Sequence, residues 1–437
     1  MRDFGARREA RREKPLLAFK RTLRHWGISM TRIDLFFRSF RLTLFCILLI
    51  SISRYSAAES AVLLVSLDGF RWDYFERGAL TNLHRLAARG VRAKALVPVF
   101  PSDTFPSHYS MLTGLHPEHH GIVGNDIIDP SIPGTFAMGS REVVQETNWW
   151  LGELIWITAQ KQGLRAATCF WPGSDAQIGG TRPTYWLRFD ATLPNEKRVA
   201  QIIDWLSLPK ETRPQLLTLY IDDVDKAGHR FGPNSPEVEA ALRVVDKTMG
   251  LLFEKLKAIG REDLNVIIVS DHGMTESSRE RAVVLEDYID GQDISEAFGG
   301  AVVLIYPRAD KKDLLLQQLQ KVPHARFYAK ESVPERFHFR DSPRIAPIVG
   351  IVDEGWVVVK RQAMPRWLKG GPKGMHGFDN QYKSMHGIFL AVGPAFQSGI
   401  TVEPFLNLHV YELTAKILAI KPAPNDGSIE AVRTLLK

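Results

Sequence analysis

Apolar positions along the chain follow two rhythms. Short continuous runs of aliphatic and β-branched residues, at 61–67 (AVLLVSL), 166–170, 216–221, 266–270 and 387–391, have the length and content of buried strands. Longer stretches, in which apolar residues recur every three or four positions, predict helices at 81–89 (ended by Gly90), 149–162, 197–207, 236–259 and 407–418. Asn407 is placed to cap the last of these. Buried strands alternating with helices imply an α/β fold with a mostly parallel central sheet and helices on both faces.

From 279 to 373 the texture changes. Proline, arginine and aromatic residues become frequent, and strands are expected at 302–306 and 356–360. The predicted organisation is a basic leader and signal peptide at 1–58, a first catalytic part at 59–278, a small α+β cap insertion at 279–373, and a second catalytic part at 374–437.

Charge changes the picture at one end only. Residues 1–41 hold 12 Lys/Arg against 4 Asp/Glu, which leaves 44 against 45 in the rest of the chain. The formal charge of +7 therefore belongs to the leader, and no nucleic-acid-binding surface is expected on the body. Arg32, Arg38 and Arg41 precede the apolar run at 42–52, and Ser56, Ala57 and Ala58 fit a processing site. The run is shorter than the roughly 20 residues that a membrane span needs. A cleaved signal and a periplasmic or secreted protein are expected, with an uncleaved anchor as the rival and Met30 as an alternative start. Cys46 lies in the signal and Cys169 in an apolar run, so no internal disulfide is expected.

Candidate chemistry gathers where strands end. The run at 61–67 leads into Asp68-Gly69, the run at 266–270 into Asp271-His272-Gly273, and the run at 216–221 into Asp222, Asp223 and Asp225, with His229 four residues after Asp225. Ligands of open α/β sheets bind beyond the carboxyl ends of strands, so these side chains can share one crevice. Carboxylates with imidazoles make a ligand set suited to zinc. His376, in the glycine-flanked segment GMHGFDN, can complete it. Any one of these motifs is weak, because an Asp after a strand is an ordinary turn or cap. A hydroxyl nucleophile is sought between 98 and 114. Thr104 precedes Phe105-Pro106, and a helix starting near Ser107 puts it at an anion-attracting N-terminus. Ser102, Ser107 and Ser110 are rivals from the residues alone.

Taken in order, these segments resemble the nucleotide pyrophosphatase/phosphodiesterases of the alkaline phosphatase superfamily. The likeness is carried by Leu67-Asp68-Gly69-Phe70-Arg71, Thr104-Phe105-Pro106-Ser107-His108-Tyr109, His120-Gly121-Ile122-Val123-Gly124-Asn125, Asp225-Lys226-Ala227-Gly228-His229, Ser270-Asp271-His272-Gly273 and His376-Gly377-Phe378-Asp379-Asn380. It implies an alkaline-phosphatase-like fold and two Zn2+ ions, one held by Asp225, His229 and His376, the other by Asp68, Thr104, Asp271 and His272. It further implies that Thr104 is the nucleophile and forms a covalent phosphothreonine ester, and that Asn125 donates a hydrogen bond to a phosphate oxygen. The expected activity is hydrolysis of phosphodiester or pyrophosphate bonds in small-molecule nucleotides or related diesters. Ser107 stands where the family often has Asn.

Several other residues have ordinary readings. His386 mimics His376 but lacks its Gly-Phe-Asp-Asn sequel, and His108, His116, His119 and His120 are expected to be structural or supporting. Asp379 either orients a ligand histidine or caps a turn. Phe105 is either core or a stacking surface for substrate, with Tyr185 and Trp186 as an opposing aromatic wall. Trp149, Trp150 and Trp156 are expected in the core. The rival functions are a phosphomonoesterase, phosphonate hydrolase or sulfatase of the same superfamily, and a non-catalytic zinc-binding protein. A monoesterase commonly sets an arginine beside the nucleophile, and Arg92 and Arg141 are distant from Thr104 in sequence.

Overall fold

The strand Val62–Leu67 sits inside an eight-stranded sheet and pairs in parallel with Leu216–Ile221 on one side and Asn265–Val269 on the other. The computed structural model describes residues 60–77 and 80–437, so the predicted leader, signal and Cys46 lie outside the described residues. In spatial order the sheet runs Ile400–Val402, Val91–Ala93, Phe389–Val392, Asn265–Val269, Val62–Leu67, Leu216–Ile221, Ala166–Cys169 and Tyr185–Leu187. Phe389–Val392 is antiparallel to both of its neighbours, and the other pairings are parallel.

The strand residues alternate between two cores, as their period of two requires. Leu63, Val65 and Leu67 pack with Leu83, Ile202 and Leu252 on one face, which is covered by helices Thr81–Arg89, Asn195–Leu206 and Pro236–Ala258. Val62 and Leu64 pack with Leu112, Ile157 and Leu413 on the other, under Thr104–Thr113, Ile155–Lys161 and His409–Ile417. The helix Thr81–Arg89 has no capping side chain of its own. The buried Asp246 caps it from the facing helix, accepting hydrogen bonds from the N–H groups of Asn82 at 3.2 Å and Leu83 at 2.9 Å.

Three predicted helices differ in detail. The one expected at 149–162 begins only at Ile155, because Gly152 takes a left-handed conformation at φ +80 and Leu154 is extended. The one expected at 407–418 is His409–Ile417. Its N-cap is Leu408, and Asn407 points its amide at the Ser107 carbonyl instead, at 3.4 Å. The one expected near Ser107 starts at Thr104. Pro106 falls within its first turn, where a helical residue has no N–H bond to lose, so Phe105 is helical despite the proline that follows it.

Within 279–373 a second sheet forms, antiparallel and four-stranded, in the order Ile294–Phe298, Val302–Pro307, Ile348–Val352, Ala325–Ala329. Val303, Ile305 and Ile348 face helix Lys312–Leu319, while Leu304 and Val349 join the main core beside Phe337 and Phe339. Arg344, 2 % exposed, fastens this region to the rest. It pairs with buried Asp129 at 2.6 Å and donates to the carbonyls of Gly121 at 3.1 Å, of Asn148 at 2.9 Å and of Trp149. Among the described residues no helix is long and apolar enough to cross a membrane.

Arg344→Met leaves a buried carboxylate and three carbonyls without their cation. The unfolding free energy is expected to fall by about 3–5 kcal/mol, measured by urea denaturation, with part of the loss recovered when Asp129→Asn is added.

Candidate active site

The three central strands deliver their acids to one end of the sheet. Asp68 directly follows Val62–Leu67, Asp271 comes after Asn265–Val269, and Asp225 lies in the first turn of helix Asp223–Phe231, which follows Leu216–Ile221. The three turns are tied together. The Asp225 N–H donates to the Asp68 carbonyl at 3.2 Å, and the Gly69 N–H donates to Asp271 Oδ1 at 3.2 Å. Gly69 has φ +67, and a Cβ there would stand 2.8 Å from Asp225 Cα, so this approach requires glycine. One helical turn beyond Asp225, His229 brings Nε2 to 3.4 Å from Asp225 Oδ1. His376 arrives on the loop after Gly374–Met375, with its Nε2 3.1 Å from His229 Nε2 and 3.9 Å from Asp225 Oδ1.

Two ligand groups result, Asp225 with His229 and His376, and Asp68 with Asp271 and His272; within each, the donor atoms lie within 4.8 Å of one another. His272 Nε2 is 3.0 Å from Asp271 Oδ2 and 3.6 Å from Asp68 Oδ1. Tetrahedral zinc with ligands at about 2.0–2.1 Å spaces them about 3.3 Å apart, so both groups have the dimensions of such a site. The histidines are oriented for it. Nδ1 of His229, His272 and His376 faces the carbonyls of Gly374 at 2.8 Å, Gly273 at 2.9 Å and Ser102 at 3.2 Å. A carbonyl only accepts, so each Nδ1 carries a proton and each Nε2 is turned toward its group, where a bound cation would take the place of any proton it holds.

The electrostatics also suit cations. Asp68 Oδ1 and Asp225 Oδ1 are buried without a hydrogen bond, and Asp271 Oδ2 faces the imidazoles of His272 and His108. Burial, then Asp271 and Asp225, push the Asp68 carboxyl well above its ordinary value. Burial works in the same direction on Asp271, but His272 and His108 outweigh it and hold that carboxyl well below the usual range. Burial disfavours the charged ring of His272, and the Asp271 carboxylate overcomes this and lifts it to about 10. Three carboxylates share one buried crevice, and divalent cations would relieve both the repulsion and the unfilled lone pairs.

Thr104 stands at the second group, its Oγ1 3.1 Å from His272 Nε2. Two rival hydroxyls are engaged elsewhere, Ser102 Oγ donating to the Phe378 carbonyl and Ser110 Oγ meeting His120 Nε2, and Ser107 Oγ is fully buried without a hydrogen-bond partner. Asn125 Oδ1 accepts from the Phe105 N–H at 3.1 Å, which commits the oxygen and leaves the amide N–H2 to donate. His386 Nε2 meets the Asn380 carbonyl, outside both groups. Asp379 pairs with Arg336 at 2.8 Å and does not orient a ligand histidine. Asp222 is engaged by Arg198 and Lys226, and Asp223 by Asn195.

Two cavities meet at Thr104, Asp225 and Met138. The first, of ≈ 300 Å³, is lined by Phe105, Met138, Trp171, Phe189, Tyr220 and Asp175 among others. The second, of ≈ 340 Å³, is lined by Asn125, Asp126, His229, Phe298 and His376 among others. Phe105 serves two roles, lining the first cavity while its ring packs on Phe136 and Trp150. The aromatic wall expected from Tyr185 and Trp186 is corrected. Tyr185 belongs to the sheet's edge strand, where its ring stacks on Trp205 and its hydroxyl donates to the Thr212 carbonyl, so Phe189 and Trp171 line the cavity instead.

Two residues outside the ligand sets support the carboxylates. Tyr220 donates its hydroxyl to Asp68 Oδ2 at 2.5 Å, yet along the chain it is one more apolar residue in the run Leu216–Ile221. His108 accepts from Ser66 Oγ at 2.7 Å and presents Nδ1 to the Thr104 carbonyl at 2.8 Å and to Asp271 Oδ2 at 3.2 Å. Its position four residues after Thr104 on one helix is the signal that locates it.

The sequence pattern of the "Type I phosphodiesterase / nucleotide pyrophosphatase" family matches residues 62–379. Venom phosphodiesterase CdcPDE of Crotalus durissus collilineatus is 38% identical over 391 residues, which are 87% of this chain and 47% of the relative. Ectonucleotide pyrophosphatase/phosphodiesterase family member 3 of Bos taurus is 37% identical over 389 residues, 86% of this chain and 44% of its own length. The chain thus spans about half the length of these curated relatives. Among solved structures, murine ectonucleotide pyrophosphatase/phosphodiesterase 5, as an inactive variant in complex with AMP, superposes with a TM-score of 0.83 at 35% identity, covering 87% of this chain and 100% of that one. A match over most of the chain and a shared fold place this protein in the type I phosphodiesterase/nucleotide pyrophosphatase family.

Proposed function

We propose that the protein hydrolyses phosphodiester or pyrophosphate bonds of nucleotides or related diesters, using Thr104 as nucleophile and two zinc ions. The single observation that carries the reading is the position of Thr104 Oγ1, buried beside His272 and at the junction of the two cavities. The family names of the relatives support it. Asp225, His229 and His376 would hold one ion, and Asp68, Thr104, Asp271 and His272 the other. When bound, such ions supply Lewis-acid stabilisation of the attacking and leaving oxygens.

The chain's own groups do the rest. Thr104 Oγ attacks phosphorus and gives up its proton, the bond to the leaving oxygen breaks, and the leaving group takes up a proton and departs on the side of His229 and His376. A water molecule then displaces threonine from phosphorus, returning the proton to Thr104 and releasing the phosphate product. Two inversions retain the configuration at phosphorus. Asn125, with its oxygen already engaged, donates its amide N–H to a nonbridging oxygen. Tyr220 and His108 fix the carboxylates of Asp68 and Asp271. The first cavity, between Phe105 and Phe189, takes a planar base or a comparable apolar group.

Lys226 is the one Lys or Arg among the described residues lining the two cavities, and its ammonium is paired with Asp222 at 2.6 Å. Arg92 pairs with Glu76, and Arg141 reaches the Phe189 carbonyl from outside. A clamp for the second charge of a phosphomonoester is therefore missing from these linings, which favours diesters. The stretch 279–373, read as an insertion, contributes Phe298 and Val302 to the second cavity. The leader at 1–58, together with relatives named for venom and for ectonucleotide hydrolysis, supports an exported protein.

Thr104→Ala is expected to abolish turnover of bis-p-nitrophenyl phosphate while bound zinc, measured by metal analysis, remains. Wild type is expected to prefer this diester over p-nitrophenyl phosphate. Asn125→Ala is expected to lower kcat by about 10²–10³ in the same assay. Chelation is expected to remove activity and lower the melting temperature together, and added zinc to restore both.

A further inference from the structure

The two cavities that meet at Thr104 differ in charge. The first holds Lys226, whose ammonium is one helical turn from Asp222. The second holds no Lys or Arg among the described residues; besides the metal-binding trio its charged lining is Asp103 and Asp126. The remainder of that lining is largely apolar or backbone, including Val123, Phe298, Ala301 and Leu304. Asp126 is held in place by the short ladder it forms with Ala137, next to Asn125. Asp103 Oδ1 lies 3.2 Å from His376 Nδ1. Asp126 is exposed at the cavity mouth, and partial desolvation and then the Asp103 carboxylate raise its carboxyl above the ordinary value, so these two groups already repel each other.

We infer that the second cavity selects leaving groups of low negative charge, and that Asp126 is a specificity residue acting against polyphosphate. This rests on the hydrolytic reading above, in which the leaving group departs past His229 and His376 into this cavity. A pyrophosphate leaving group would bring its anionic oxygens against Asp103 and Asp126, with no ammonium or guanidinium from the lining to receive them. An alcohol, or a sugar phosphate, which carries fewer charges than pyrophosphate both before and after cleavage, meets a smaller penalty beside the apolar lining of Phe298 and Leu304. Because Asp126 ligates nothing, its charge can be altered without removing a metal ligand.

The test compares ATP with ADP-glucose, using the zinc-loaded full chain at about pH 8 without added magnesium. Both release AMP by cleavage of a phosphoanhydride bond, and they differ in the leaving group, pyrophosphate against glucose 1-phosphate. For the wild type, kcat/KM is expected to favour ADP-glucose by about tenfold at low salt, and the gap to narrow as salt screens the carboxylates. Asp126→Asn is expected to raise the ATP to ADP-glucose ratio about threefold and Asp126→Lys about tenfold, chiefly through KM for ATP. A wild type that prefers ATP, or a ratio that Asp126→Asn and Asp126→Lys leave unmoved, overturns the inference and leaves the hydrolase reading standing. Failure to release AMP from either substrate overturns both. If Asp126→Lys does not fold, Asp126→Asn and the salt dependence decide the matter alone.

Discussion

Asp68, Asp225 and Asp271 are forced into one buried crevice by the pairing of three neighbouring parallel strands, and Asp68 and Asp225 each keep an oxygen without a hydrogen bond. Like charges so placed repel, and the surroundings show how that repulsion is contained. Gly69 lets the turns bearing Asp68 and Asp225 approach closely, and its N–H holds Asp271. Tyr220 and His108 steady two of the carboxylates from the sheet and from the helix that begins with Thr104. Three imidazoles, each anchored through Nδ1 to a backbone carbonyl, turn their remaining nitrogens inward. The strength of this centre lies in its rigidity, since the groups that aim the ligands are themselves buried or hydrogen-bonded.

The proposed nucleophile, Thr104, depends on the same scaffold. Thr104 opens a helix whose first turn contains Pro106, and the Phe105 N–H is taken by Asn125. The helix terminus thereby fixes the Asn125 side chain, and it sets Thr104 against His272. The second sheet adds shape on the side away from the aromatic cavity, bound to the main body through Arg344 and a shared apolar face. The two cavities are built accordingly. Aromatic side chains from the main body line one cavity, and the antiparallel sheet with two acids lines the other.

Much of this is legible along the chain. A single acid after a buried aliphatic run is an ordinary turn, but three such acids, joined by histidines, mark one metal-binding crevice because parallel strands end on the same side of the sheet. The spacing of Asp225 and His229 encodes a helical turn. Less is legible where a residue's role comes from the partner that folding brings to it. Tyr220 looks like any residue of a buried strand until Asp68 is seen beside it. Phe189 lies in an irregular segment without periodicity, so the chain alone points to Tyr185 and Trp186 for the aromatic wall, and the edge strand turns Tyr185 away. Helix starts shift for local reasons, a left-handed Gly152 in one case and a tolerated Pro106 in another.

The central claim is that phosphorus passes through a covalent bond to Thr104, and the stereochemical course of the reaction tests it most directly. A diester of a phosphorothioate with known configuration at phosphorus, hydrolysed by the zinc-loaded protein in ¹⁸O-labelled water, yields a chiral product whose configuration can be assigned. Two displacements, the first by Thr104 and the second by water, predict net retention. Net inversion would mean that water attacks the substrate directly, and it would contradict the account.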